Sequence, residues 1–544
     1  MRLRSGWLRL SLLLLGLILY GAAVWDNTWS RHDEAVFLSW KSQFHQQWVD
    51  GQLSLTTFTA PQAGQGRFIP GFHLAQFVEY ELFGLDCWKH HLFRLVVMLA
   101  LCQVFFSVTV RAAGSPGAAW LAGLLFLCYS PSVDIWACLE MGEFYQLALL
   151  LPSVWCLVAA MGAPMEKRLF RAGLTLAAGL WILLAFLVKE TSLSFLALGG
   201  ALVIACFIGC GELLSRRNRL LSGVYLGFHV LAALLWPIMK DASGVCSIKS
   251  GLYTSHYQPT LATIASTALK YGDMLWNGFQ LLALVALGIF VCRLAVWARR
   301  RVRPDAYDGW AFVGLCWFAG LVIITLPWQL VNPYYLGPGL PGLCLFIGLM
   351  VWRFLAEPTE QTPPTRSWGR LALRWLVVAN LVLLPLIAGI RTNNYLIFKH
   401  DYSRATFDTI KTLALYAAPS ARFFINVPAE HPGFFTEMVM LLTIVCNRPD
   451  LQDFYHCNKP GVPDPRAGDY LLTFTREPEG SSRPAAMAVP ASFHDRTLNQ
   501  FGDRIKLVRQ IRYDRRLLAC YPDAPIFNWV ARTGVKLPDQ LGMP

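Results

Sequence analysis

Leu8-Arg9-Leu10-Ser11-Leu12-Leu13-Leu14-Leu15-Gly16-Leu17-Ile18-Leu19-Tyr20-Gly21-Ala22-Ala23-Val24, followed shortly by Arg31-His32-Asp33-Glu34, is the stretch that decides the fold. An apolar run of about twenty residues suffices to cross the hydrocarbon core of a bilayer as a helix. No small-residue cleavage site precedes the segment from Asp26 to Glu34, so the run is expected to be a retained first transmembrane helix rather than a signal peptide. The chain then leaves the membrane directly onto two adjacent carboxylates. That position suits acid–base chemistry better than packing. Further along the same loop, Gly66-Arg67-Phe68-Ile69-Pro70 supplies a cation. A carboxylate and a cation at a membrane surface point to chemistry on a lipid-borne phosphate.

Working outward, the composition agrees with a membrane protein. Of the 544 residues, 55% are hydrophobic and 15% charged, and the mean hydropathy is +0.42. A soluble chain of this length carries more charge, so a polytopic α-helical membrane protein is the expected class. The net charge of +13 does not indicate a nucleic-acid partner, because Lys and Arg cluster in short links between apolar runs, as in Arg216-Arg217-Asn218-Arg219 and Arg299-Arg300-Arg301. That distribution is the positive-inside pattern.

Apolar windows fall near 7–24, 92–110, 117–133, 144–161, 172–188, 193–210, 221–238, 274–297, 309–327, 336–354 and 371–390. They predict about eleven transmembrane helices. Basic links at Arg2/Arg4, Arg111, Lys167/Arg168/Arg171, Arg216–Arg219, Arg299–Arg303 and Arg366–Arg374 occupy every second connection, so all can face the cytoplasm together. The long first loop (25–91), the short second loop (134–143), the Lys189-Glu190-Thr191 junction, the loops near 239–273 and 328–335, and the segment 391–544 then face outward.

In the first loop, Phe37, Trp40, Phe44 and Trp48 recur at helical spacing, which fits either a helix lying in the membrane interface or one packed on the bundle. The transmembrane unit is expected to span 1–390. Beyond it, Ala421–Val427, Gly468–Phe474 and Ile505–Tyr513 read as strands punctuated by Pro, Gly and Asp. About 150 residues can bury a core of their own, so 391–544 is expected to be an extracytoplasmic α/β C-terminal domain. Most of the 14 cysteines fall inside apolar runs and behave as small core residues. Cys446, Cys457 and Cys520 lie in the polar C-terminal part, where an oxidising compartment would allow one disulfide of open pairing. No Cys/His spacing of the metal-binding kind occurs, and nothing in the sequence requires a cofactor.

The candidate site residues are Asp33, Glu34, Arg67, Glu140, Glu143, Lys189, Glu190, Tyr334 and Tyr335. Asp33 and Glu34 project in different directions on any regular backbone, so one of them faces a given site. A carboxylate at a low-dielectric boundary has a raised pKa and can take a proton from a hydroxyl; the structural reading of Asp33 is an N-cap for the following helix. Arg67 presents the fork that matches a pair of phosphate oxygens, and its structural reading is a headgroup anchor. Glu140 and Glu143 sit where an apolar helix re-enters the membrane, a costly position for unpartnered acids. Lys189-Glu190 otherwise reads as a snorkelling pair, and Asn332-Pro333-Tyr334-Tyr335 as part of the aromatic belt. All of these acids and cations fall on the same side of the membrane, a preference that scattered structural charges lack.

With these motifs the chain resembles the GT-C superfamily of integral-membrane glycosyltransferases, which includes protein O-mannosyltransferases and lipid A aminoarabinose transferases. The resemblance rests on Asp33-Glu34, Gly66-Arg67-Phe68-Ile69-Pro70, the acids of the second outer loop and Lys189-Glu190-Thr191, and beyond them on the layout of spans. It implies a membrane enzyme that moves a sugar, with inversion, from a polyprenyl-phosphate carrier. The acceptor would be extracytoplasmic: a surface protein such as a pilin, or a lipopolysaccharide or wall glycan. The family's first-loop base maps to Asp33, with Glu34 second. Arg67 and Lys189 are then the cations for the leaving phosphate, with the enzyme in the inner membrane of a bacterium and its site toward the periplasm. The Trp-Trp-Asp signature of the oligosaccharyltransferase branch is missing. The alternatives are a transporter or flippase, which places ionisable groups nearer the midplane and shows inverted repeats, and a polymerase of lipid-linked glycans, whose catalytic loop comes late in the chain.

Overall fold

The computed structural model describes residues 2–24, 29, 32–59, 67–129, 135–136, 139, 141–243, 257–300, 303–328, 333–356 and 364–398, and in the C-terminal part 411, 414–415, 417–425, 434–456, 459, 461–463, 469–475 and 505–512. The chain is an integral membrane protein. Among the described residues, nine helices are long and apolar enough to cross a bilayer. Two further apolar helices, Ser5–Gly21 and Pro116–Cys128, are shorter and account for the remaining two of the eleven sequence windows.

In chain order the helices are α1 (Arg2–Val24), α2 (His32–Val49), α3 (Pro70–Phe83), α4 (Cys87–Ala113), α5 (Pro116–Cys128), α6 (Gly142–Gly162), α7 (Arg168–Val188), α8 (Phe195–Ile208), α9 (Arg219–Ala242), α10 (Leu261–Arg300), α11 (Ala306–Thr325), α12 (Leu340–Ala356) and α13 (Pro364–Phe398). Where the helices meet, small residues let them approach closely. Gly314 on α11 and Gly342 on α12 face each other's backbone: a Cβ on Gly314 would stand 2.5 Å from the Gly342 carbonyl oxygen. The central helices α4, α5, α6, α8, α11 and α12 share one core that includes Phe105, Phe126, Trp310 and Trp317.

The end of the bundle bearing the basic links is tied by a charge network. Arg293 of α10 reaches Asp308 at 2.7 Å, and Arg353 of α12 reaches Asp305 at 2.8 Å and Asp308 at 3.2 Å. Asp305 also caps α11 through the Asp308 amide. Burial raises the Asp305 carboxyl, but the Asp308 amide and Arg353 outweigh it and hold the group below its ordinary value.

The first-loop helix α2 is packed rather than laid in the interface. Phe37, Leu38 and Phe44 are buried, while Trp48 is exposed. Phe44 meets Phe58 and Phe77, and Phe37 and Leu38 join a core with Trp29, Leu139, Met438, Leu441 and Leu442. The last three belong to α14 (Phe434–Met440) and the π-helical turn that continues it. The C-terminal part therefore shares its apolar core with both of the early loops.

Its strands β1 (Phe423–Ile425), β2 (Phe454–His456), β3 (Asp469–Thr475) and β4 (Ile505–Arg512) form a parallel sheet in the order β2-β1-β3-β4. Phe423 pairs in register with Phe454 on one side and Tyr470 on the other, and the three rings stack at 5.4 and 5.3 Å. A parallel sheet needs crossover connections, which fits the α/β expectation. Three of the strands fall where alternation and turn residues put them, and β2 had no such signal. Cys446 is a free thiol; Cys457 and Cys520 lie outside the described residues.

Candidate functional site

A cavity of about 320 Å³ opens where α3, α6, α7, α8, α11 and α12 start or end. Its size is at the lower end of the range for small-molecule sites. Helices α6, α8 and α12 begin there, and α7 and α11 end there, so alternating connectivity brings one face of the bundle together. Among the lining residues are Arg67, Glu143, Lys189, Glu190, Tyr334 and Tyr335. Six of the nine candidates read from the sequence thus meet at one place, although they come from four separate stretches of chain.

The charges pair across the cavity and not along the sequence. Arg67 Nε donates to Glu190 Oε1 at 2.9 Å, and the buried Lys189 ammonium donates to Glu143 Oε1. Lys189 and Glu190 are therefore no snorkelling pair: each is turned to a partner on a different helix or loop. The Lys189 ammonium also lies 5.3 Å from the ring centroid of Tyr335, a cation–π contact. Each carboxylate keeps one oxygen, Oε2 of Glu143 and Oε2 of Glu190, that is buried with no hydrogen-bond partner among the described residues.

Local geometry explains how Arg67 arrives. Pro70 starts α3 at its first turn, where a missing amide hydrogen costs nothing. Gly71 then lets α3 touch the last turn of α7, because a Cβ there would stand 3.1 Å from the Leu187 carbonyl carbon and oxygen. On the far side, Gln146 of α6 donates to Ser192 at 2.7 Å, and the Ser192 hydroxyl donates to the Ala185 carbonyl at 2.8 Å, closing the turn that presents Lys189 and Glu190. The aromatic part of the lining comes from Tyr334, Tyr335 and Trp328. The Tyr334 and Tyr335 rings are 4.6 Å apart and Trp328 is 6.4 Å from Tyr335.

Two buried clusters beside the cavity have no counterpart in the sequence reading. In the first, the Lys41 ammonium donates to His73 Nδ1 at 3.2 Å and lies over the rings of Phe44 and Phe72, the latter a cavity residue. Burial, and then the charges of Lys41 and Arg67, hold His73 well below its ordinary value, so the ring is neutral with its hydrogen on Nε2.

In the second, Glu79 of α3 is gripped by Arg94 of α4. Arg94 Nε lies 3.1 and 3.2 Å from the two Glu79 oxygens, and Nη2 lies 3.1 Å from Oε2. Tyr145 donates to the same carboxylate, and His90 Nδ1 lies 3.1 Å from Oε1. Burial alone raises the Glu79 carboxyl; Arg94 and His90 outweigh it and hold the group at about 2. The cluster also fixes the second loop, since the Leu139 carbonyl accepts from Arg94 at 2.7 Å and from Gln76 at 2.9 Å. Periodicity could not have revealed this cluster: its acid, base and phenol come from three helices, and each looks like an isolated polar residue on its own.

The helix bounds place Asp33 and Glu34 in the first turn of α2, which begins at His32, and not at an N-cap. Their side chains, and the whole of Glu140, lie outside the described residues.

The fold is of the GT-C type. ArnT from Cupriavidus metallidurans in the apo state is similar to this chain over 91% of both chains, with 15% identity and a TM-score of 0.51. The same protein bound to undecaprenyl phosphate aligns over 91% of both chains at 14% identity and a TM-score of 0.48. The apo oligosaccharyltransferase of Archaeoglobus fulgidus aligns with 93% of this chain and 64% of its own, at 11% identity and a TM-score of 0.45. No family model matches the sequence, and no curated protein matches it.

Proposed function

We propose that the protein is an inverting glycosyltransferase that moves a sugar from a polyprenyl-phosphate carrier to an extracytoplasmic acceptor, a surface protein or an envelope glycan. The observation that carries this reading is the pairing of Arg67 and Lys189 at one cavity at the end of the helical bundle. A lipid phosphate of the kind that ArnT from Cupriavidus metallidurans binds has the charge these two cations complement.

In this reading Asp33, with Glu34 as the alternative, takes the proton from an acceptor hydroxyl. The oxygen attacks the anomeric carbon in line, and the bond from that carbon to the phosphate oxygen breaks. The phosphodiester carries one negative charge and the leaving lipid phosphate carries up to two. Arg67 and Lys189 stabilise that added charge, and their carboxylate partners hold them in place beforehand. Glu143 and Glu190, with Tyr334 and Tyr335, bind substrate, and Glu140 or Glu143 orients the acceptor or a basic partner. The cavity end of the bundle faces the periplasm from a bacterial inner membrane, and the domain 391–544 lies on that side. The basic links at the opposite end support this orientation.

Glycan mass spectrometry of envelope fractions with and without the protein tests the proposal. A sugar missing only from the fraction that lacks the protein supports it. Unchanged glycans, in cells that make the lipid-linked donor, sink it.

A further inference from the structure

Glu143 is 1% exposed and already bound to Lys189 through one oxygen, yet its second oxygen has no donor among the described residues. Glu190 is similar at the atom level, although its side chain is 35% exposed: one oxygen holds Arg67 and the other is itself buried, with no donor among the described residues. Both residues line the same cavity. A buried acceptor left empty is costly, and a carboxylate oxygen more so than a neutral one. Two such oxygens ask for a ligand that brings hydrogen-bond donors.

A phosphate cannot fill that role, because in the diester form it only accepts. It would meet Arg67 and Lys189 instead. These two cations are matched one for one by Glu143 and Glu190, so a single phosphodiester already leaves the set with an excess negative charge. A second acid on the ligand would sit beside two carboxylates in a confined space. The rest of the lining mixes aliphatic residues and two threonines with the aromatic Trp328, Tyr334 and Tyr335, which offer ring faces and the tyrosine hydroxyls to a sugar ring.

We infer that Glu143 and Glu190 form a sugar-reading subsite that takes a glycosyl group presenting hydroxyl or amine donors and carrying no acid. The inference rests on the glycosyltransferase reading above and sharpens it to a class of donor. Neutral sugars on a lipid phosphate are accepted, and uronic acids are excluded by charge.

The test is a set of binding titrations of the full-length protein in lipid nanodiscs. The probes are undecaprenyl phosphate, undecaprenyl-phosphate-glucose and undecaprenyl-phosphate-glucuronate. The glucosyl lipid is expected to bind about tenfold more tightly than the bare lipid phosphate, the effect of one to two hydrogen bonds to a charged acceptor. The glucuronate lipid is expected to bind more weakly than the glucosyl lipid. In Glu190→Gln the preference for the glucosyl lipid over the bare lipid phosphate is expected to shrink, while thermal unfolding of the protein stays near native. That combination separates a lost sugar contact from a misfolded protein. Equal binding of bare and glucosyl lipid by the unaltered protein, or equal binding of glucosyl and glucuronate lipid, overturns the subsite and leaves the glycosyltransferase reading standing. Failure of every lipid phosphate to bind overturns both.

Discussion

Replacing Arg94 with leucine removes the one guanidinium that holds Glu79 ionised in a place where neither group reaches solvent. In the native protein the Glu79 carboxyl is held at about 2 against an ordinary 4.5. That difference is worth about 3 kcal/mol at neutral pH. Its folded value lies below its unfolded one, so the contribution is complete above the unfolded value and is lost as pH falls toward 2. In Arg94→Leu the sign reverses. Burial then acts with only His90 and Tyr145 against it, the folded value rises, and the stranded carboxylate costs about 3–5 kcal/mol at neutral pH. Protonation relieves that cost, so the penalty relative to the native protein shrinks between about pH 7.5 and about pH 5.

The assay is SDS-driven unfolding in mixed micelles, followed by tryptophan fluorescence, at both pH values. The double variant Glu79→Gln/Arg94→Leu is expected to be more stable than Arg94→Leu alone. A penalty that is the same at both pH values, with effects that add to within about 0.5 kcal/mol in the double variant, would refute the claim that the pair is a coupled buried unit.

The other expectations concern the site and its supports. Arg67→Ala should slow sugar transfer by about 10²–10³-fold, the loss seen when one donor to a developing charge is removed, while membrane insertion and thermal unfolding stay near native; a rate within threefold of native would count against it. Gly71→Val puts a side chain against the Leu187 backbone, and should cost about 1–3 kcal/mol and lower turnover by parting Arg67 from Glu190, both readable from a melt and a transfer assay on one preparation. Phe37→Ala removes a fully buried ring from the core shared by α2 and the C-terminal part. It should cost about 3–5 kcal/mol and speed limited proteolysis after residue 400; an unchanged digestion pattern would show that the shared core does not hold that part in place.

Much of this architecture was readable along the chain because membrane helices announce themselves by length and hydropathy. Each apolar window overlaps a helix, but α10 begins at Leu261, well before the window 274–297, and the helices at the first and third windows, Ser5–Gly21 and Pro116–Cys128, are short of the length needed for a clear span. The site was partly readable for a related reason: acids and cations at the ends of apolar runs are few, and topology puts them on one side. What sequence could not supply was the pairing. Lys189 and Glu190 are adjacent, and adjacency suggests a mutual pair; the extended backbone at Lys189 turns the ammonium to Glu143 and leaves Glu190 for Arg67. Nor could it find Lys41 and His73, whose residue types on α2 and α3 look like ordinary polar positions until the two helices are packed. The aromatic stripe of α2 was consistent with a lipid surface or a protein surface, and the packing of Phe44 on Phe58 and Phe77, with Phe37 against Trp29, Leu139 and the C-terminal Met438, Leu441 and Leu442, decides for the protein surface.

The central claim is that this cavity transfers a sugar off a lipid phosphate with Asp33 as base. Its most direct test is release of free undecaprenyl phosphate from undecaprenyl-phosphate-linked sugar by the purified protein, in the presence of acceptor-bearing envelope material. The account predicts acceptor-dependent release by the native protein and none above background by Asp33→Asn in equally folded preparations. Release that proceeds unchanged in Asp33→Asn, or no release from any neutral sugar donor, would contradict it.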